Sequence, residues 1–133
     1  MYVSRIFTFI LAFSLSFLSL NLYASTSKLG YSGRLVLSNG TPVTGTPNLK
    51  FDLYYSNDLP TVIATQTINS VPLSNGIYTV ELDFDNLGSF APLYSSTADV
   101  IDKIPSGQTL VIRVTDVTDI GSPVAYDYQN ILA

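Results

Sequence analysis

The sequence predicts an all-β protein built as an antiparallel β-sandwich. From Tyr31 onward, short runs rich in Val, Ile, Leu, Thr and Tyr alternate apolar and polar residues with period two, as half-buried strands do. Clusters of Gly, Pro, Asn and Asp separate these runs and predict turns. Long helical periodicity is missing. Because an antiparallel meander of this size cannot bury both faces of one sheet, we expect two sheets packed face to face, with a small barrel as the alternative.

Six or seven strands are expected, and the clearest lies at 48–55. There the odd-numbered apolar residues fall on one face, and Lys50, Asp52 and Tyr54 fall on the other. Asn75-Gly76 predicts a hairpin between the third and fourth runs, because this pair readily takes positive φ. The extended runs cover residues 32–37, 48–55, 61–71, 77–84, 108–115 and 124–132. The predicted core contains Phe51, Leu53, Val80, Leu82, Leu110 and Ile112.

Residues 85–105 are the least regular part of the chain. Gly88, Pro92 and Pro105 interrupt any strand or helix pattern in this stretch. We therefore expect a long irregular crossover loop, with a single helical turn at 98–103.

Residues 1–24 are predicted to be a cleavable signal peptide. A short, weakly positive start ending at Arg5 precedes an apolar run over 6–22, and small residues surround the cleavage point after Ala24. Cleavage after Ser27 is an alternative, and so is an uncleaved membrane anchor. Removal of the signal leaves 25–133 as a single exported domain, placed outside the cell, on its surface or in the periplasm.

Charge and composition argue against several classes of protein. The net charge is −4 and the six Lys and Arg residues are scattered, whereas nucleic-acid binding needs clustered cations. Cys and His are absent, so disulfides, thiolate metal sites and histidine bases are excluded. We expect no nucleic-acid partner, and no membrane partner after signal cleavage.

The groups left for catalysis are lysines and carboxylates, and none lies in a recognisable catalytic frame. A Ser-Lys dyad stays open, with Lys28, Lys50 or Lys103 as its base. Local carboxylate pairs are Asp83 with Asp85, Asp99 with Asp102, and Asp116 with Asp119. The segment 83–88 is similar to a calcium loop without completing one, and an ordinary polar turn is favoured there. We predict a protein that is not an enzyme, with no catalytic, cofactor or metal-binding residues.

Tyrosine is frequent, with nine residues in the chain. Flat amphipathic rings suit contact with carbohydrate or protein when they are exposed. The alternative is that tyrosine simply favours strands. The candidate contact residues are Tyr54, Tyr94, Tyr126 and Tyr128.

Four motifs resemble a recurrent N-terminal module of bacterial surface and fibre proteins. They read Tyr31-Ser32-Gly33-Arg34-Leu35, Gly40-Thr41-Pro42-Val43-Thr44-Gly45, Phe51-Asp52-Leu53-Tyr54 and Asn75-Gly76-Ile77-Tyr78-Thr79-Val80. The resemblance implies a prealbumin-like or immunoglobulin-like sandwich at the base of tail-fibre-like adhesins, including mosaic trimeric fibres of predatory bacteria.

The same resemblance implies a function in anchoring, spacing or attachment to a host or surface, with homotrimeric fibre chains as partners. The alternative is a stand-alone domain that binds carbohydrate, such as a surface glycan, or another surface ligand. In that family the chain continues into a fibre shaft, so a stop at Ala133 within an apolar run is expected to be a truncation. The family motifs name no functional residues.

Overall fold

The computed structural model describes residues 28–132, and the predicted signal peptide at 1–24 lies outside the described residues. The described chain forms eight strands and two short helices, each cited below by number. They are β1 Leu29–Arg34, β2 Leu49–Tyr55, β3 Ala64–Ile68, β4 Ile77–Leu82, α1 Phe84–Leu87, β5 Ser89–Phe90, α2 Thr97–Asp102, β6 Leu110–Asp116, β7 Val124–Ala125 and β8 Gln129–Leu132.

The strands form two antiparallel sheets. The smaller sheet contains β1 and β4, with Tyr31 opposite Val80. The larger sheet has the order β5-β3-β2-β6, and both β7 and β8 pair with the remaining edge of β6. A hydrogen bond from the Tyr31 hydroxyl to Gln129 Oε1, 2.7 Å long, ties β1 to β8. The predicted all-β antiparallel sandwich is confirmed, and the described strands form no closed barrel.

The core lies between the two sheets. Phe51 in the middle of β2 is completely buried, and its ring centroid lies 6.3 Å from that of Tyr31 and 6.0 Å from that of Tyr78 on the smaller sheet. Of the predicted core residues, all but Val80 are completely buried, and Val80 packs against the same cluster while half-buried. Alternation therefore identified the core correctly.

The predicted hairpin at Asn75-Gly76 is wrong in its partners, although the turn itself forms. Asn75 and Gly76 have φ values of 55° and 78°, and the backbones of Ser74 and Ile77 exchange two hydrogen bonds of 2.9 Å. The strands on either side lie in different sheets, because β3 pairs with β2 and β5 whereas β4 pairs with β1. Buried Val71, whose N–H donates to Pro47 O, holds the chain where it passes between the sheets.

The predicted irregular crossover at 85–105 contains more regular structure than expected. It holds most of α1, the edge strand β5 and the helix α2, which replaces the single turn predicted at 98–103. Asp83 caps α1 by accepting a hydrogen bond from Asn86 N, and Ser96 caps α2 by accepting one from Asp99 N. Tyr55 fixes α2 on the larger sheet, since its hydroxyl donates to Val100 O at 2.7 Å.

Buried tyrosine hydroxyls predict a loss of stability at alkaline pH. Burial raises the pKa of Tyr31 to about 12 despite a hydrogen bond from Tyr78 that lowers it, and burial also raises the pKa values of Tyr55 and Tyr78. In the unfolded chain these groups lose their protons near pH 10, so the unfolded state binds fewer protons above that pH. Stability is therefore fully present below about pH 10 and falls as pH rises toward about 12, by about 1.4 kcal/mol per pH unit for each such tyrosine.

Denaturant unfolding at a series of pH values between about 9 and about 12 measures this slope. The Tyr31→Phe variant serves as the control, because it removes one of the titrating groups and should make the decline less steep by one tyrosine's share. A stability that does not change over this range would contradict the burial of these hydroxyls.

Candidate functional site

The four tyrosines proposed as a contact surface do not form one surface. Tyr54 is only 4% exposed, so the expectation that it lies on an exposed face is wrong. Its ring meets the edge of Tyr128 at a centroid distance of 5.2 Å on the outer face of the larger sheet. Half-buried Tyr126 packs against the core, whereas half-buried Tyr94 packs against Tyr55. The structure brings Tyr54 and Tyr128 together and places Tyr94 apart from them.

Arg113 clamps the chain between β7 and β8 onto the outer face of β6. Its Nε donates to Tyr126 O at 2.9 Å, and its Nη1 donates to the Tyr128 hydroxyl at 3.1 Å. The guanidinium carbon also lies 4.6 Å from the Tyr128 ring centroid, a cation–π distance. The Tyr128 ring therefore packs against Arg113 and Tyr54, and it covers the outer face of the larger sheet.

Tyr94 belongs to the surroundings of α2. Its ring lies 6.0 Å from that of Tyr55 and 5.5 Å from Lys103 Nζ. Lys103 Nζ also donates to Leu93 O and pairs with Asp99 at 3.3 Å. The pKa of Asp99 is lowered, chiefly by the hydrogen bond that it accepts from the backbone N–H of Ser95. These contacts fasten the helix rather than shape an open site.

The acidic segment 83–88 forms helix α1 and its caps. The Asp83 carboxylate accepts hydrogen bonds from the backbone and side chain of Asn86, and Asp85 Oδ1 accepts from the N–H and hydroxyl of buried Thr97 at 2.7 and 2.8 Å. Within 28–132, no group of three or more acidic side chains is arranged to hold a metal ion.

The three lysines each face a carboxylate. Lys103 pairs with Asp99 as described, and Lys50 lies 3.7 Å from buried Asp52 across the outer face of β2. Lys28 lies 3.8 Å from Glu81, between two exposed side chains. Each lysine that could have served a Ser-Lys dyad thus has an ion-pair partner.

An open groove lies between the hairpin turn at 36–42, which follows β1, and the strand β7, and is here called the hairpin–β7 groove. Its volume is about 530 Å³. Three apolar side chains on its walls remain in contact with solvent: Val36 is 37% exposed, Leu37 51% and Val124 51%. The groove is lined by Val36, Leu37, Ser38, Val124, Ala125, Tyr126 and Asp127.

A tight turn held by local hydrogen bonds shapes the first wall of the groove. Leu35 is buried in the core, and the chain beyond it reverses through Asn39-Gly40, with Gly40 at φ 85°. Gly40 N donates to Leu37 O, and Asn39 Oδ1 accepts a hydrogen bond from Thr41 N at 3.0 Å. This tight turn keeps the apolar side chains of Val36 and Leu37 at the surface.

The second wall depends on the attachment of β7 to β6. Val124 and Ala125 pair with Asp116 and Thr115, and Tyr126 N donates to Val114 O at 2.9 Å. The Arg113 clamp then holds the Tyr126 carbonyl from the outer face. The second wall is therefore held by its pairing with β6 and by the Arg113 clamp, although β7 itself has only two residues.

Strand edges border the groove on both walls. On the first wall, Leu35 and Leu37 bond to Val43 and Thr41, so the N–H and C=O groups of Val36 between them point to the other edge. On the second wall, Tyr126 bonds to β6, and alternation turns the N–H and C=O groups of Ala125 away from β6. The groove therefore offers backbone donors and acceptors beside its apolar side chains.

The groove carries negative charge. Asp127 is exposed, and of the described residues that line the groove it alone is charged. Asp116 lies opposite Val124 in the neighbouring strand β6. Burial raises the pKa of Tyr126, and the charge of Asp116 raises it further. Lysine and arginine are missing from the lining residues. The charge that a ligand would meet on the lining itself is therefore the carboxylate of Asp127, while the Arg113 guanidinium lies against the Tyr126 carbonyl on the outer face.

None of the residues that form the apolar walls was singled out by the sequence, apart from Tyr126. A signal existed at Val36-Leu37, since Leu35 makes them a run of three consecutive apolar residues before a polar turn, and strand alternation cannot turn all three to one face. A second signal was Val124, an apolar residue directly after the turn ending in Pro123.

Comparison with known proteins gives a match to a protein family. The family model of a domain of unknown function (DUF8740) matches residues 30–125, from the second residue of β1 to the last residue of β7. The match includes the first wall of the groove and the two residues of β7 in the second wall. No curated protein and no solved structure matches the chain. Among the described residues, no helix is long and apolar enough to cross a membrane.

Proposed function

The chain belongs to the DUF8740 family, and we propose that it is a non-enzymatic structural or adhesive module of an exported cell-surface fibre, which acts through contact with other proteins. The hairpin–β7 groove is the observation that carries the proposal. Isolated exposed apolar residues are ordinary, but apolar side chains gathered in a concave place are typical of contact sites. The exposed side chains of Val36, Leu37 and Val124 form such a place.

The partners of the charged side chains support a function other than catalysis. Asp83 and Asp99 stabilise helix ends, and Arg113 holds the chain at 126–128. A general base or nucleophile acts from a position where it can reach a substrate, and these groups instead bond to the fold.

Export and a place in a fibre are supported by sequence features. The predicted signal peptide at 1–24 supports a place outside the cytoplasm, and the four motifs that resemble surface-fibre modules support the fibre. The alternative, a domain that binds a surface glycan through tyrosine rings, has less support, because Tyr54 is buried and the Tyr128 ring packs against Arg113.

Site-specific photo-crosslinking in the producing cells tests the proposal. A photoreactive amino acid replaces Leu37 on the groove wall in one variant and Leu93, which is 77% exposed beside Tyr94, in the matched control. We expect a crosslinked protein adduct from position 37 and none from position 93. Cell fractionation of the same samples should recover the chain outside the cytoplasmic membrane.

Two results would contradict the proposal. One is a lack of adducts at position 37, or equal yields at both positions, because either would mean that the groove is not a preferred contact site. The other is recovery of the chain in the cytoplasm at full length, because the domain would then not be exported.

A further inference from the structure

The hairpin–β7 groove has the features of a site for an added β-strand. β7 has one side bonded to β6, and its Ala125 N–H and C=O groups point away from that strand. An extended peptide can bond to such an edge with its backbone and place alternate side chains in neighbouring pockets. Val124 beside the edge, and Val36 and Leu37 on the opposite wall, supply apolar surface for those side chains.

Edges of this kind are normally protected in proteins that have no partner for them. A very short strand, lysine, proline, inward charges or a covering loop are the usual protection. Here the two residues of β7 are Val and Ala, both exposed, and Pro123 lies before the strand rather than within it. Shortness is thus the protection that β7 has, and a short edge suits a peptide segment better than a broad sheet surface.

The charge of the groove indicates which peptide would fit. Asp127 is the charge on the lining, and Asp116 lies opposite Val124 in β6. A lysine or arginine of the peptide would complement this charge, whereas an acidic residue would be repelled. A second copy of the chain fits poorly, because it brings a net charge of −4 and the same acidic edge.

We propose that the hairpin–β7 groove binds an extended segment of a partner protein that has alternating apolar side chains and a flanking lysine or arginine, and adds it as a strand to the edge of β7. This rests on the proposed function, which makes the groove the contact site. Backbone hydrogen bonds hold the segment, the apolar walls select its side chains, and Asp127 selects its charge.

Three synthetic peptides of about nine residues test the proposal on the full secreted chain. All alternate valine and threonine. The first has lysine at both ends, the second has glutamate at both ends, and the third has the lysines and a central proline, which removes a backbone donor. Affinity is measured by NMR titration, and amide hydrogen exchange reports whether the edge becomes bonded. We expect the lysine peptide to bind at least about tenfold more tightly than the other two and to slow exchange at Ala125 and Val36.

Three variants separate the contributions. Asp127→Asn should lower the affinity for the lysine peptide about fivefold. The ratio of its affinity to that of the glutamate peptide should fall as well. Val124→Asp should abolish binding by placing a charge in the apolar wall. Ile120→Asp is the control, because Ile120 is 89% exposed and does not line the groove, and it should bind as the parent chain does.

The proposal is overturned if the lysine peptide does not bind, if the glutamate or proline peptide binds equally well, or if Ala125 exchanges at an unchanged rate when peptide is bound. It is also overturned if light scattering shows a dimer that Val124→Asp dissociates, since a second copy would then occupy the groove. That last result, and crosslinking at position 37 without peptide binding, would leave the proposed contact function standing.

Discussion

Replacing Phe51 with alanine is expected to lower the free energy of unfolding by about 4 kcal/mol. Phe51 is completely buried at the centre of β2, and its ring contacts Tyr31 and Tyr78 on the smaller sheet. The variant loses the transfer free energy of the ring and leaves a cavity that two large tyrosine rings cannot easily fill. Aromatic edge contacts between the sheets are lost as well.

The size of this effect matters because domains are stable by only about 5–15 kcal/mol. Denaturant unfolding of the Phe51→Ala variant, with the midpoint and slope both recorded, measures it. Leu93→Ala is the control, since Leu93 is 77% exposed and should change stability by less than about 0.5 kcal/mol. If both variants lost the same small amount, the face-to-face packing of the two sheets would be contradicted, because the ring partners of Phe51 lie on the other sheet.

The alternation of residues was enough to predict the core. In β2 the odd-numbered residues face the smaller sheet, and Phe51 and Leu53 are completely buried as expected. Alternation could not predict that the other face is covered too. Tyr54 is buried because Tyr128, far away in the sequence, is held over it by Arg113. Coverage of a sheet face depends on contacts between distant segments, which a local pattern does not contain.

Turn chemistry predicted where the chain reverses but not which strands pair. Asn75-Gly76 takes the positive φ values that the sequence indicated, yet β4 pairs with β1 instead of β3. The choice depends on the burial of Val71 and on its bond to Pro47, both outside the turn. In contrast, α2 could have been placed from sequence, because Ser96 and Asp99 have the spacing of a helix N-terminus.

The groove could be predicted only in part for the same reason. Val36-Leu37 and Val124 were recognisable as apolar residues beside turns, but their proximity comes from the pairing of β7 with β6 and from the position of β1 in the other sheet. The second wall also depends on Arg113, which holds the Tyr126 carbonyl. The sequence presented this residue only as one of several scattered cations.

Gly76 is a position where one added methyl group should be strongly destabilising. Its φ of 78° is disfavoured for any residue with a side chain, and a Cβ atom there would lie 2.5 Å from the backbone oxygen of Leu35. Backbone cannot move aside as a side-chain tip can, and the Gly76 carbonyl also accepts the hydrogen bond of Leu35 N at 2.8 Å. We expect Gly76→Ala to cost about 3 kcal/mol, more than the positive φ accounts for.

Gly40→Ala separates the two causes, because Gly40 has a similar φ of 85° but open space around its missing Cβ. It should cost only about 1 kcal/mol, the conformational part alone. Denaturant unfolding of both variants gives the difference, and equal losses would contradict the close approach of Gly76 to Leu35. Leu35 directly precedes Val36 on the first wall of the groove. Amide exchange at Val36 should therefore also become faster in Gly76→Ala, because the altered turn displaces Leu35.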